Sequence, residues 1–411
     1  FQVDREPISY SSSQLDDPVA RLQQRLDRGE TQLRYDRQQG YLKSVLEQLS
    51  VPISSQGLVF SKTSFQRDRI SPETPRALYF GDDVYVGWVQ RGEVVELSAV
   101  DSQKGAVFYT LSQQPDDPPR FRRQTHECLQ CHESSLTQQV PGHLVRSVYP
   151  DPRGQPMLSA GTFISGHQSP LRERWGGWYV TGTHGRQVHM GNLIVRDRKQ
   201  AEQPEKIDLT AGSNCTDLVG RCDPTPYLSP HSDIVALMVL EHQTQMHNLL
   251  TRANYQTRLA LRDEVALSQA LGRPAGERLD STRSRIRSVG EPLVRYLLFA
   301  DEAPLSEPVA GTSDFVREFS ARGPRDRQGR SLRDFDLQRR MFRYPLSYLI
   351  YSAAFELQPE PLKDYVYGRL WQILQGEDAS GRYSNLTVDD RRAILEILKE
   401  TKPNLPDSWR R

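Results

Sequence analysis

Two thiols and an imidazole stand within one short run, Cys128-Leu129-Gln130-Cys131-His132. Thiols at this spacing can each add to a haem vinyl group, and the adjacent imidazole is then placed to bind the iron. The run therefore predicts one covalently bound haem c, attached through Cys128 and Cys131, with His132 as the proximal iron ligand.

Two other uses of a C-x-x-C run fit this chain less well. Half of a zinc site would need a second ligand pair, and the remaining cysteines, Cys215 and Cys222, do not form another C-x-x-C. A thioredoxin-like redox site would need a strand before the first cysteine, whereas residues 118–123 read PPRFRR and are not typical of a buried strand.

The run resembles the haem-attachment site of c-type cytochromes, and the chain is similar in outline to large exported bacterial proteins with a single such site. The resemblance covers only Cys128, Cys131 and His132. Small cytochromes c carry the motif near the start of an all-helical fold, with a methionine sixth ligand further on. Here Met190 follows His132 by 58 positions, but the intervening sequence is typical of strands and turns. The resemblance implies thioether attachment outside the cytoplasm, in the periplasm or an equivalent compartment.

The second axial ligand decides whether a haem iron transfers electrons or binds small molecules. His242 is the candidate with the best physical case, because it lies in the middle of an apolar stripe at helical spacing. The stripe consists of Val235, Met238, Val239, Met246 and Leu249. A buried imidazole needs partners for its nitrogens, which either iron or a core hydrogen bond would supply. His247 is about 140° further around the helix and is expected to flank the stripe.

Other residues near the haem are predicted with alternatives left open. The loop at 182–192 holds His184, Arg186 and His189, and either borders the haem or forms a polar surface hairpin. Arg186 would there pair with a propionate or with charge on a bound peroxide. His143 is a further candidate for the distal side, and His126 for the haem edge.

A basic turn and a set of three aromatic residues each have two possible roles, one at the haem and one elsewhere in the protein. Arg120, Arg122 and Arg123 are either propionate partners or solvated cations. Three aromatic residues, Trp175, Trp178 and Tyr179, either pack on the porphyrin or fill the core.

Cys215 and Cys222 lie in a polar, turn-rich segment. In an oxidising compartment such a pair is expected to form a small disulfide loop, and two free thiols are the alternative.

The net charge and the lengths of apolar runs limit the classes of binding partner. The 411 residues include 53 Lys and Arg against 52 Asp and Glu, which gives no case for nucleic acid or an acidic membrane surface. The longest strongly apolar run, residues 234–240, is too short to span a bilayer. The chain opens Phe1-Gln2-Val3 without a signal-like start, as expected for a mature exported chain.

The pattern of residue types predicts an α+β fold unlike that of a small all-helical cytochrome. Residues 1–60 read as helical, 61–228 as a β-rich region carrying the haem motif, and 229–411 as helical. Strands are predicted near 84–89, 94–100 and 107–111, and also at 144–149, 158–163, 177–182 and 188–196. Helices are predicted from about 234 to 255, at 263–271 and at 388–401.

These features favour electron transfer by one covalent haem, with a redox protein or a small oxidant as partner. The alternative is a haem enzyme or sensor with an open sixth site, acting on peroxide or a small gas. A second C-x-x-C-H, which two-haem bacterial peroxidases carry, is absent from the sequence.

Overall fold

A computed structural model of the chain describes residues 2–12, 14–115, 118–274 and 276–409. Its strands are β1 Gly57–Val59, β2 Arg76–Phe80, β3 Val84–Trp88, β4 Val94–Asp101, β5 Gly105–Ser112, β6 Phe121–Gln124, β7 Arg146–Val148, β8 Thr162–Ile164 and β9 Trp178–Tyr179. Its α-helices are α1 Pro18–Asp27, α2 Leu42–Gln48, α3 Leu129–His132, α4 Ile234–Ala270, α5 Asp280–Leu297, α6 Phe315–Ala321, α7 Ala353–Glu356, α8 Glu360–Leu374 and α9 Val388–Thr401.

Strands β1 to β6 form an antiparallel meander in which each strand pairs with the next, and β9 joins it beside β1. Residues 90–93 turn β3 back onto β4, with Arg91 in the left-handed region at φ 56°. Strands β7 and β8 form a separate antiparallel pair. Successive side chains of a strand alternate between the two faces, so the sheet presents two different surfaces.

The first face packs against α1 and α2. Helix α1 begins where the Asp17 carboxylate accepts hydrogen bonds from the amides of Val19 and Ala20, with Pro18 in the first helical position. The shared core on this side is made of β-branched, aliphatic and aromatic residues, among them Val19, Leu22, Val45, Tyr79, Val86, Leu97, Val107 and Leu111.

The second face packs against α4, which has 37 residues and is about 55 Å long. Asp233 caps its start by accepting hydrogen bonds from the amides of Val235 and Ala236. Phe80, Tyr85 and Val100 from the sheet share one core with the first half of this helix and with the C-terminal helices. Helix α4 is therefore covered on several sides, and its polar residues must find partners inside the protein.

The predicted fold class is confirmed, because the chain combines N-terminal helices, an antiparallel sheet and a helical C-terminal half. Helix α9 matches its predicted bounds, and Thr387 and Asp390 form the capping box at its start. The two helices predicted between 234 and 271 are one continuous helix, since no glycine or proline interrupts that stretch.

The strand predicted at 188–196 is wrong. Asn192 lies there in the left-handed region, and its side-chain amide exchanges two hydrogen bonds of 2.9 Å with the backbone of Val180. A side chain thus supplies the hydrogen bonds that a paired strand would have given. The strand at 57–59 arises within the region predicted to be helical.

Among the described residues, no helix combines the length and the apolar character needed to cross a bilayer.

Candidate functional site

The C-x-x-C-H run forms a single helical turn directly after β6. The amide of His132 donates to the carbonyl oxygen of Cys128 at 2.9 Å, which closes the turn. Residues three and four apart lie on the same side of a helix, so Cys131 and His132 both lie on the same side of the turn as Cys128. Cys131 is exposed and Cys128 is half-buried. Leu129, fully buried, fixes the turn to the protein.

Leu129 packs into a small core that lies beside the motif. This core joins the N-terminal segment, strand β5, the loop after the motif and helix α4, and its members are Val3, Ile8, Tyr10, Ala106, Phe108, Leu129, Val140 and Tyr255. The turn is therefore held by elements that are far apart in the sequence.

The ring of His132 is oriented by one hydrogen bond. Its Nδ1 lies 2.9 Å from the carbonyl oxygen of Gly142. A carbonyl oxygen can only accept, so Nδ1 carries the proton and the neutral ring keeps a lone pair on Nε2. Among the described residues none hydrogen-bonds to Nε2. This is the arrangement that metal-binding histidines adopt, with one nitrogen held by the protein and the other available.

Gly142 can supply its carbonyl because it has no side chain. A Cβ at this position would meet Oδ1 of Asn248 at 2.3 Å and the side chain of Thr137 at 3.1 Å. Asn248, on α4, holds the same loop by accepting from the amide of His143 at 2.8 Å and donating to its carbonyl at 2.6 Å. The histidine of the motif is thus positioned through the loop by α4.

An ion pair on the sheet lies close enough to the turn to affect its ionisation. Arg76 donates to Glu96 at 2.6 Å, and both side chains are largely buried. Burial raises the pKa of the Cys128 thiol to about 11, with Glu96 contributing in the same direction. Burial also lowers the pKa of His132, and Arg76 adds to that shift. At neutral pH the site therefore presents neutral sulfur and a neutral imidazole, which suit thioether formation and iron ligation.

The donor set of the turn is compatible with a covalently attached haem. Both thiols and the free Nε2 belong to one turn, and the ring of Phe108 lies 4.7 Å from that of His132. No group of three or more His, Cys, Asp or Glu within the described ranges is arranged to hold a metal ion. His132 would hold the iron, and the two cysteines would hold the porphyrin.

His242 lies deep in the core, where both of its ring nitrogens have protein partners. Its Nε2 is 2.8 Å from the hydroxyl of Ser347, and its Nδ1 is 2.8 Å from Nδ1 of His167. Tyr296 and Phe299 stack on its ring. The structure thus gives His242 the core hydrogen bonds that were the alternative to iron ligation.

The loop at 182–192 is placed against the segments around Asn214 and Glu307. The amide of Asn214 donates to Nε2 of His184 at 3.0 Å, and the exposed Arg186 pairs with Glu307 at 2.7 Å. His189 is buried beside His184 and Trp175. Met190 accepts a hydrogen bond from Ser147 on its sulfur. No described contact joins this loop to the Cys128–His132 turn.

The remaining candidates divide between structural roles and the neighbourhood of the turn. Arg123 donates to the backbone carbonyls of Tyr10 and Ser11, while Arg120 and Arg122 lie near or at the surface. The aromatic residues Trp175, Trp178 and Tyr179 are core residues. His143 is buried behind Phe108 with Nε2 2.6 Å from the Ser98 hydroxyl, and His126 is exposed.

Cys215 and Cys222 are not bonded to each other in the structure. Arg221 donates to the sulfur of Cys215 at 3.2 Å, whereas Cys222 packs against the core below the sheet's first face. The structure thus describes two free thiols, and the disulfide stays a prediction.

Sequence reasoning missed Phe108, Gly142, Arg76 and Glu96. Each is brought to the turn by the sheet or by α4, and none lies within the motif. Gly142, in Pro141-Gly142-His143, was a local signal, because glycine permits close approach of the backbone to another group.

Comparison with known proteins gives no family model, no curated protein and no solved structure that matches this chain.

Proposed function

We propose that this chain is an exported c-type cytochrome with one covalent haem that transfers electrons. The observation that carries the proposal is the Cys128–His132 turn, in which both thiols lie on one face and Nε2 of His132 has no hydrogen-bond partner in the described part of the chain. In bacteria thioether attachment is an extracytoplasmic step, so the proposal places the protein in the periplasm or an equivalent compartment. When bound, the haem supplies a one-electron redox centre.

The exposure of the turn supports exchange of electrons with another molecule. Cys131 is exposed, and Gln130 beside it is exposed as well. Cys131 would hold a porphyrin at an exposed position, where a redox protein or a small oxidant could approach. The carbonyl of Gly142 would orient His132 as the iron ligand.

Haem extraction tests the attachment directly. Acid–acetone treatment of the purified protein should leave the haem on the polypeptide, with a mass increase of one haem. The variant with Cys128→Ala and Cys131→Ala should release it into the organic phase. The matched control, Cys215→Ala with Cys222→Ala, should retain it. Release of haem from the unaltered protein would contradict thioether attachment.

A second candidate function is a haem enzyme or sensor with an open sixth site. This function is favoured because the buried histidines that could otherwise fill the sixth position already have hydrogen-bond partners. These pairs are His242 with Ser347, His143 with Ser98, and His247 with Tyr85. An optical spectrum of the reduced protein separates the two functions. Indifference to carbon monoxide means a filled sixth site and electron transfer, and a shift on adding carbon monoxide means an accessible iron.

A further inference from the structure

A row of aromatic rings in contact with one another extends from His132 into the core. The ring of Phe108 lies 4.7 Å from that of His132, His143 lies 6.1 Å beyond it, and Tyr85 lies 4.3 Å from His143. Each distance joins ring centroids and is typical of rings in contact. Tyr85 is thus separated from the candidate iron ligand by two rings.

The hydrogen bonds around Tyr85 give its hydroxyl proton a defined direction. The Gln243 amide nitrogen donates to the carbonyl of Gly81 at 2.7 Å, which fixes the orientation of that amide. The same nitrogen lies 3.0 Å from the Tyr85 oxygen and donates to it. Tyr348 donates to the other end of the amide, Oε1, at 2.6 Å.

His247 is the remaining partner of Tyr85. Its Nδ1 lies 2.9 Å from the Tyr85 oxygen. The tyrosine hydroxyl has no other acceptor among the described residues, so it donates its own proton to Nδ1 of His247. Tyr85 therefore has an adjacent base, aligned to take the proton if the phenol is oxidised.

Both partners are neutral, as such a transfer requires. Burial raises the pKa of Tyr85 well above its ordinary value, so the phenol keeps its proton. Burial lowers the pKa of His247 to about 4, so the imidazole is unprotonated near neutral pH. The pair starts as phenol and free imidazole, with no proton to be lost to solvent.

The packing of the core at position 85 does not require the hydroxyl of Tyr85. Tyr85 stands in a cross-strand row with Phe80, Ser98 and Phe108 on the sheet face toward α4. Phenylalanine already occupies two of these places, and it would fill the Tyr85 ring site as well. A hydroxyl here imposes a buried polar network of Gln243, His247 and Tyr348 that an apolar core would avoid.

We propose that Tyr85 is a redox-active tyrosine that delivers an electron through His143 and Phe108 to the haem site at His132 while His247 takes its proton. The inference rests on the proposed covalent haem together with the accessible iron of the second candidate function, and it names a hydroperoxide as the oxidant. Reduction of a hydroperoxide to an alcohol and water consumes two electrons and two protons. One electron comes from Tyr85 and the second is drawn from the haem.

The phenol of Tyr85 supplies none of the protons that the hydroperoxide takes up. Both protons consumed by the hydroperoxide come from solvent, because the Tyr85 proton stays on His247. The products on the protein are a neutral tyrosyl radical at Tyr85 and a protonated His247. The haem site is left one electron short as well. Two electrons from the redox partner, one to the radical and one to the haem, restore the starting state as His247 returns its proton to the phenol oxygen.

Freeze-quenched electron paramagnetic resonance of the haem-loaded protein mixed with hydrogen peroxide tests the proposal. A tyrosyl signal, narrowed by ring-deuterated tyrosine, is expected in the unaltered protein and lost in Tyr85→Phe. The control Tyr79→Phe should keep it, since Tyr79 lies on the opposite face and donates to Gln56 at 2.6 Å. If Tyr85→Phe does not fold, His247→Phe is used, and the loss of the proton acceptor should also abolish the signal.

The outcomes separate this inference from the proposed function. Without covalent haem by mass, the proposed function fails and the inference falls with it. With covalent haem present, three results overturn the inference alone: a haem spectrum that does not respond to peroxide, the absence of a tyrosyl signal, or a signal that persists in Tyr85→Phe.

Discussion

The Cys128–His132 turn and the middle of α4 both place histidine beside aromatic rings, yet they use it differently. His132 has one nitrogen bonded to Gly142 and one that has no hydrogen-bond partner among the residues the structure describes. His242 has Ser347 on one nitrogen and His167 on the other. The difference teaches that the two histidines differ in spare bonding capacity, although they are the same residue type. At His242 that capacity is consumed, whereas the neighbouring His167 keeps a buried Nε2 without a hydrogen-bond partner among the described residues, which costs free energy.

The two regions also treat charge differently. Glu241 in α4 is fully buried, and burial raises its pKa to about 7. Arg174 offsets this by donating to it at 3.2 Å, and also donates to the backbone carbonyls of His167 and Ser169. At the motif, the corresponding pair of Arg76 and Glu96 stays in partial contact with solvent. The core pair is the one that folding depends on.

The largest expected effect is that of Arg174→Met. It leaves the Glu241 carboxylate without its cation and the 165–170 loop without its donor, so the free energy of unfolding should fall by about 3–5 kcal/mol. Arg186→Met, in an exposed pair with Glu307, should leave the free energy of unfolding nearly unchanged. Urea denaturation measures both. Equal losses would show that burial does not separate the two pairs.

His242→Ala and His132→Ala should differ in their effects on stability and on the haem spectrum. His242→Ala removes two hydrogen bonds and leaves a cavity, and we expect a loss of about 2–4 kcal/mol with an unchanged haem spectrum. His132→Ala should alter the spectrum, with a smaller loss of about 1–2 kcal/mol. Optical spectra and urea titrations provide both readouts. A changed spectrum in His242→Ala would instead identify that residue as an iron ligand.

A pH dependence follows from the buried histidines. The pKa of His247 is about 4 in the folded protein and 6.5 when unperturbed, so below pH 6.5 the unfolded chain binds a proton that the folded protein does not. Stability contributed by this residue is complete above pH 6.5 and is lost as pH falls to about 4.

The measurement is the slope of unfolding free energy against pH between about 4 and 6.5. In His247→Phe the slope should decrease by up to about 1.4 kcal/mol per pH unit, the value for one proton. The control Tyr79→Phe removes a buried hydroxyl but no histidine, and its slope should equal that of the unaltered protein. An unchanged slope in His247→Phe would mean that this imidazole is protonated in the folded state.

The smallest effect is expected at the second cysteine pair. If Cys215 and Cys222 are free thiols, Cys215→Ser should change stability by less than about 0.5 kcal/mol. A disulfide closing this short loop would instead contribute about 2–3 kcal/mol. Alkylation of the unreduced protein decides between them, because free thiols at both positions take up the reagent and a disulfide takes up none.

Local patterns in the sequence predicted the fold class and many elements. Alternation and β-branched residues marked β3, β4 and β5, and the capping box at Thr387 marked the start of α9. Such signals lie within a few neighbouring residues. The strand predicted at 188–196 failed because the Asn192 side chain, bonding to Val180 twelve positions away, replaced a strand partner.

In the candidate site, too, local features could be predicted from the sequence and long-range contacts could not. The sequence by itself determined that two thiols and an imidazole share one turn, because the spacing of residues in a helix fixes which side chains lie together. Only the tertiary structure decided which nitrogen of His132 is held, since the carbonyl of Gly142 comes from a loop positioned by α4. It also decided that Tyr85 and His247 meet, 162 positions apart, because contact between a strand and a distant helix depends on how the whole core packs.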